Sequence, residues 1–208
     1  MAQPPNLDLA QLVALAAALG WASGLRLYAV VFLTGVAGSL GWLVLPPGLQ
    51  VLQSPWVLGA SLVLFLAEFL ADKIPGLDTL WDAVHTFVRI PAGAALAGAA
   101  FAAAGADHAV WTAIAALLGG TLAATAHAAK ATTRAAVNAS PEPFSNIALS
   151  LLGDVAVPTL LWLAWAHPWL FFPVLALAVA LAIALIVVLF KFLRALVRRF
   201  APAAAAAA

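Results

Sequence analysis

Asp78-Thr79-Leu80-Trp81-Asp82-Ala83-Val84-His85-Thr86-Phe87-Val88-Arg89-Ile90-Pro91 carries four ionisable side chains at steps of four, three and four residues. On an α-helix these steps stack Asp78, Asp82, His85 and Arg89 on one face over about three turns. Leu80, Val84, Phe87 and Val88 take the opposite face. In a soluble protein such a stripe would face water. The rest of the chain removes that option.

Of the 208 residues, 66% are hydrophobic and only 8% charged, and the mean hydropathy is +1.10. That leaves too little polar surface to coat a soluble globule. The expected fold is all-α, a single polytopic transmembrane helical bundle over residues 1–200. With about 20 apolar residues per crossing, the chain has room for six to seven spans. The Ala-rich residues 201–208 read as a disordered tail. A net charge of +1 argues against a nucleic-acid partner, which requires a concentrated basic surface. The absence of cysteine excludes disulfides, thiolate metal sites and cysteine nucleophiles. Met1–Asp8 lacks the basic region of a cleaved signal peptide, so the first apolar run is expected to be retained. Richness in Ala, Leu and Trp fits a bacterium with a GC-rich genome.

Leu7–Ala22 is apolar but short, and Gly20, Ser23 and Gly24 are expected to break it. It reads either as a short helix or as a re-entrant half-helix. Leu25–Leu45 forms a full span stopped by Pro46-Pro47-Gly48. Pro55 opens the third run, and Ile74-Pro75-Gly76 closes it. The fourth runs from Leu77 to about Ala104 with a kink expected at Pro91, and the fifth covers His108–Arg134. After the polar loop Asn138–Asn146, the sixth run covers Ile147–Ala166 with a kink expected at Pro158. The seventh covers Trp169 to about Leu196. Runs three and four, and five and six, share a helix–charged elbow–helix pattern, which would amount to a parallel internal repeat.

The positive-inside rule orients this arrangement. With the basic Lys191, Arg194, Arg198 and Arg199 placed inside, Arg26, Lys73, Lys130 and Arg134 all fall at cytoplasmic elbows. The alternate elbows hold no Lys or Arg, and Trp42, Trp56, Trp111, Trp165 and Trp169 mark that opposite face. The expected location is the bacterial inner (cytoplasmic) membrane, with a cytoplasmic C-terminus.

Four runs carry polar stripes. Glu68 and Asp72 lie on the third, and Asp78, Asp82, His85 and Arg89 on the fourth. His127, Lys130 and Arg134 follow on the fifth, then Asn146, Ser150 and Asp154 on the sixth. Arg26 and Lys73 join them from adjoining elbows. Five carboxylates face five cations, a balance that predicts mutual pairing inside the bundle. An unpaired charge in hydrocarbon costs about 3 kcal/mol on insertion scales. The bland alternative places the elbow charges at the interface, where they pair or snorkel. The candidate solute- or ion-binding set is Glu68, Asp72, Asp82, His85, Arg89, Lys130, Arg134 and Asp154. Arg26, Lys73, Asp78, His127, Asn146 and Ser150 form a second tier.

Carboxylates with a histidine could hold a hard cation, but five nearby cations oppose a bare metal site. No cofactor is expected, although a bound cation stays open. The mixture suits a small polar or anionic solute, or a phosphate head group held by Arg26, Arg89, Lys130 and Arg134. The leading expectation is therefore a transporter or channel for a small ion or polar solute. Lipid head-group binding or translocation, and a structural or partner-binding module with internally paired charges, are the alternatives. Membrane lipids, a small solute or ion, and further copies of the chain are the candidate partners. The Asp72, Asp78 and Asp82 spacing is faintly like the metal motif of CDP-alcohol phosphotransferases, but the Asp-Gly and Ala-Arg elements are missing. Hydrolase elbow, zincin and phosphate-loop motifs are missing too, so an enzyme is the weaker reading.

The segment Glu68–Gly93 resembles the signature of an uncharacterised bacterial membrane family, domain of unknown function 4126. Gly24-Leu25-Arg26-Leu27-Tyr28 and Ser54-Pro55-Trp56 are similar to it as well, with Arg26 standing where a neutral polar residue is associated with the family. The resemblance implies a multi-span membrane protein and supplies no activity.

Overall fold

A computed structural model describes residues 7–102, 106–138 and 144–200. The Ala-rich tail, Met1–Asn6 and the middle of the Asn138–Asn146 loop lie outside the described residues. The fold is an all-helical bundle: α1 Leu9–Ser39, a 3-10 helix Pro47–Gln53, α2 Pro55–Ala71, α3 Leu77–Phe101, α4 Ala106–Val137, α5 Phe144–Ala166 and α6 Pro168–Phe200. Among the described residues five of these are long and apolar enough, by length and composition, to cross a membrane, α1 only when its two halves are counted as one. The 3-10 helix and α2, bent by 70° to each other, bring a sixth. This is a multi-pass membrane protein.

Local chemistry sets the helix ends. Asp8 and Gln11 form a reciprocal capping box, the Asp8 side chain accepting from the Gln11 backbone N–H at 2.7 Å. Pro55 occupies the first turn of α2, where its missing N–H costs nothing. Gly76, with φ 86°, makes the turn into α3 that a residue bearing a Cβ would resist.

The apolar runs at the N-terminus join differently from the sequence expectation. α1 is two helical halves joined at Arg26, whose φ of −149° and ψ of 83° are far from helical. Straight, its 31 residues would extend about 45 Å at 1.5 Å per residue. Instead both ends return to one place. Leu9 and Leu12 line the same groove as Leu45 and Pro46, and a Cβ on Gly38 would lie 2.5 Å from Leu45. Arg26 meets Asp72 at the other end of α2. The chain therefore doubles back at Arg26, and each half is shorter than the roughly 30 Å hydrocarbon thickness.

The break is thus at Arg26, not at Gly20–Gly24, and the following helix stops at Ser39, short of Leu45. The glycines are used for packing. A Cβ on Gly20 would sit 2.6 Å from Gly119 Cα, and Gly24 abuts the Ala123 backbone. Gly93 of α3 closes on Ala123, and Gly119 on Ala97, so α1, α3 and α4 approach along small residues. Close approach of this kind drives helix association in lipid, where apolar burial gives no advantage.

α3 and α5 carry Pro91 and Pro158 within continuous helices, whereas α1 is broken at Arg26. The paired lysines of the expected repeat sit unequally: Lys73 follows α2, whereas Lys130 lies two turns inside α4. The rest of the bundle wraps α1, whose span is mostly buried while α6 is mostly exposed. Trp42, Trp56, Trp111 and Trp169 are exposed. They lie at the end opposite Arg26, as an interfacial belt requires.

Candidate functional site

The opening stripe faces inward. Asp78, Asp82, His85 and Arg89 are 0–8% exposed, while Leu80, Val84 and Phe87 are 57–84% exposed. Around the stripe, ion pairs link α1, α2, α3, α4 and α5.

Asp72, which caps the end of α2, is the hub on one side. Its carboxylate meets Arg26 Nη1 at 2.8 Å, Lys130 Nζ at 3.0 Å and Arg134 Nη1 at 2.7 Å. Arg26 reaches this point because its backbone leaves the helix. Its other nitrogens meet Asp154 at 2.8 Å and donate to the Ser150 carbonyl and hydroxyl at 2.9 Å. Arg26 contacts the two carboxylates at ion-pair distance but off hydrogen-bond alignment. Lys73 adds a second cation to Asp154 at 3.3 Å and lies over the Phe69 ring. Asn146 donates weakly to the Asp72 carbonyl at 3.5 Å.

Arg89 is the hub on the other side. It is fully buried, and it donates to Glu68 and, at 2.6 Å, to Asp82. His127 Nδ1 lies 3.2 Å from Arg89 Nη1. A guanidinium only donates, so this nitrogen accepts and Nε2–H faces the Thr86 hydroxyl at 2.7 Å. That hydroxyl donates in turn to the Asp82 carbonyl. Among the described residues Glu68 Oε2 and Arg89 Nε have no hydrogen-bond partner. Asp82 joins the two hubs, since its oxygens also meet Lys130 at 3.2 Å and Arg134 at 3.4 Å.

The remaining predicted residues fall outside this core. Asp78 accepts from the backbone N–H groups of Gly76 and Thr79 and from Asn138, with Arg134 at 3.8 Å, so it chiefly fixes the α2–α3 elbow. Among the described residues His85 touches no charged partner. Its Nδ1–H donates to the Trp81 carbonyl at 2.8 Å, its ring stacks on Trp81, and its Nε2 accepts from the Tyr28 hydroxyl at 3.1 Å. Tyr28, Thr86 and Asn138 are partners that the charge pattern did not single out. Each is a polar group within four residues of a charged one in sequence, a signal too common to stand out.

Among the described residues no group of three or more His, Asp or Glu side chains is arranged to hold a metal ion. Each carboxylate of the two hubs points instead at a guanidinium or ammonium. A cleft of about 220 Å³ borders the Asp72 hub, between α4, α5 and α6.

The family model described as a domain of unknown function, DUF4126, matches residues 13–188. The chain belongs to that family. The match takes in both hubs and every candidate site residue. A search of curated proteins finds no match, and a search of solved structures finds none. Membership in domain of unknown function 4126 therefore supports the membrane architecture and leaves the chemistry to the residues.

Proposed function

We propose that the protein is a transporter or channel of the bacterial cytoplasmic membrane, passing a small ion or a polar, anionic solute through the charged site at the α1 break. The observation carrying this reading is a network of five carboxylates and five cations linking α1 to α5, which reaches the unwound Arg26 and is bordered by a cleft at its Asp72 hub. Ionisable groups in membrane helices mark solute and ion pathways by default, and broken helices frame transporter sites. Neutrality of the set lets it rest closed, with each charge answered by a neighbour. An incoming ion would compete for one side of those pairs. The concentration of Lys and Arg at the Arg26 end and around Arg194 supports a cytoplasmic placement of that end and of the C-terminus.

The test is flux through purified protein in proteoliposomes, measured for protons, potassium, chloride and phosphate. At least one should cross faster than in empty vesicles, and Asp154→Asn and Arg134→Gln should cut that rate tenfold or more. Equal rates in empty and loaded vesicles, or variants that transport like the parent, would overturn the proposal.

A further inference from the structure

The cleft beside Asp72 differs in charge from the network as a whole. Arg26, Lys130 and Arg134 line it against the single carboxylate of Asp72, and the Thr133 and Ser150 hydroxyls stand among them. The neutrality of the full set is restored only by carboxylates behind this wall, Asp82 and Asp154. The groups lining the cleft alone carry two positive charges in excess, and Asp154 and Asp82 meet the same cations from outside the lining, so an incoming anion competes with those carboxylates for Arg26, Lys130 and Arg134. Arg89, with its two carboxylates, is not part of it.

The donor set narrows the anion. The Thr133 hydroxyl donates to the Ala129 carbonyl within α4, and two guanidinium groups, an ammonium and the Ser150 hydroxyl converge from α1, α4 and α5. That exceeds what the two oxygens of a carboxylate can accept and suits the three or four oxygens of a phosphate. The remaining walls narrow it further. Leu25, Leu149, Ala156 and Leu185 are apolar, and Leu152 on the rim is 65% exposed on the lipid-facing side of α5. α4 and α5 hardly touch and α6 packs against both, so Leu185 of α6 forms one wall of the cleft while the exposed Leu152 of α5 lines another. A soluble ion has no use for such walls, whereas an acyl or alkyl chain does.

We infer that the cleft binds the phosphate group of an anionic amphiphile, with Arg26, Lys130 and Arg134 on the phosphate and Leu149, Leu152, Ala156 and Leu185 along the first part of the chain. This rests on reading the network as a solute site and gives that solute a class. The experiment measures binding without flux, so the two readings fail separately.

Purified protein in neutral detergent is given equimolar phosphatidylglycerol and phosphatidylcholine and examined by native mass spectrometry. Thermal midpoints are read in parallel with decyl phosphate and with inorganic phosphate. Phosphatidylglycerol should be retained at least fivefold over phosphatidylcholine, and decyl phosphate should raise the midpoint at concentrations where inorganic phosphate does not. Arg134→Gln should remove both effects. Ala156→Trp should do so as well while keeping every charge, because the indole fills the cleft; its elution profile and unliganded midpoint report folding. Equal retention of the two lipids, or undiminished binding in Ala156→Trp, would overturn the inference. Stabilisation by inorganic phosphate equal to that by decyl phosphate would assign the cleft to a free anion and overturn the amphiphile.

Discussion

The two hubs are mirror images in charge and opposites in access. Asp72 is one carboxylate among three cations, next to a cleft. Arg89 is one cation between two carboxylates, sealed in the bundle with no exposed surface. Asp82, Lys130 and Arg134 tie them together, and Asp154 on Arg26 completes the neutral whole. The difference separates two tasks that a charge stripe alone would merge. A sealed hub cannot meet a solute without the bundle opening, so its charges serve first to hold α2, α3 and α4 together. The Asp72 hub borders a cleft, and under the proposed function recognition belongs there.

The sharpest challenge to this division is Arg89→Ala. It leaves Glu68 and Asp82 buried without their cation and should cost about 3–5 kcal/mol, read as a lowered denaturation midpoint. Adding Glu68→Gln should recover part of the loss in a double-mutant cycle. If Arg89→Ala cost no more than Arg134→Gln, the sealed hub would not be the lock. A charge-neutral control is Gly119→Leu, which overpacks the seam where Gly20 and Ala97 close on Gly119. About 1–3 kcal/mol should be lost, and unaltered phosphatidylglycerol retention per folded molecule would keep the two hubs distinct from the packing seam. Arg134→Gln should cost roughly 1–2 kcal/mol, because Asp72 keeps Arg26 and Lys130. Its larger effect should be on anion binding, and the reverse ranking would dissolve the comparison. Smallest is Tyr28→Phe, which removes one hydrogen bond to His85 and should cost about 0.5–1.5 kcal/mol with no change in anion binding.

Much of this was legible in the residues. The helical period of Asp78, Asp82, His85 and Arg89 and the apolar composition together required an inward-facing stripe, because lipid would not accept it. Charge balance required partners on other helices, and the structure supplies them. The division of roles was not legible. His85 and Arg89 shared a stripe and a depth, yet His85 is held by Tyr28 and Trp81 while Arg89 anchors a hub. Residues three or four apart share a face, but which neighbour each meets depends on how that face is rotated against the other helices.

Arg26 shows the same limit most plainly. Its sequence neighbours Gly20, Ser23 and Gly24 looked like the break, and Arg26 looked like a charge at the start of a span. Glycine in a membrane helix serves equally well to break it or to let another helix approach, and local sequence does not distinguish the two. Composition and periodicity by themselves determined a multi-pass helical bundle with a neutral, inward-facing set of charges, because solvation energy in a membrane allows little else. The turn at Arg26, the sorting of those charges into an Asp72 hub and an Arg89 hub, and the cleft beside the first were decided only by tertiary packing. They depend on distances between residues up to 128 positions apart, such as Arg26 and Asp154, which no local pattern encodes.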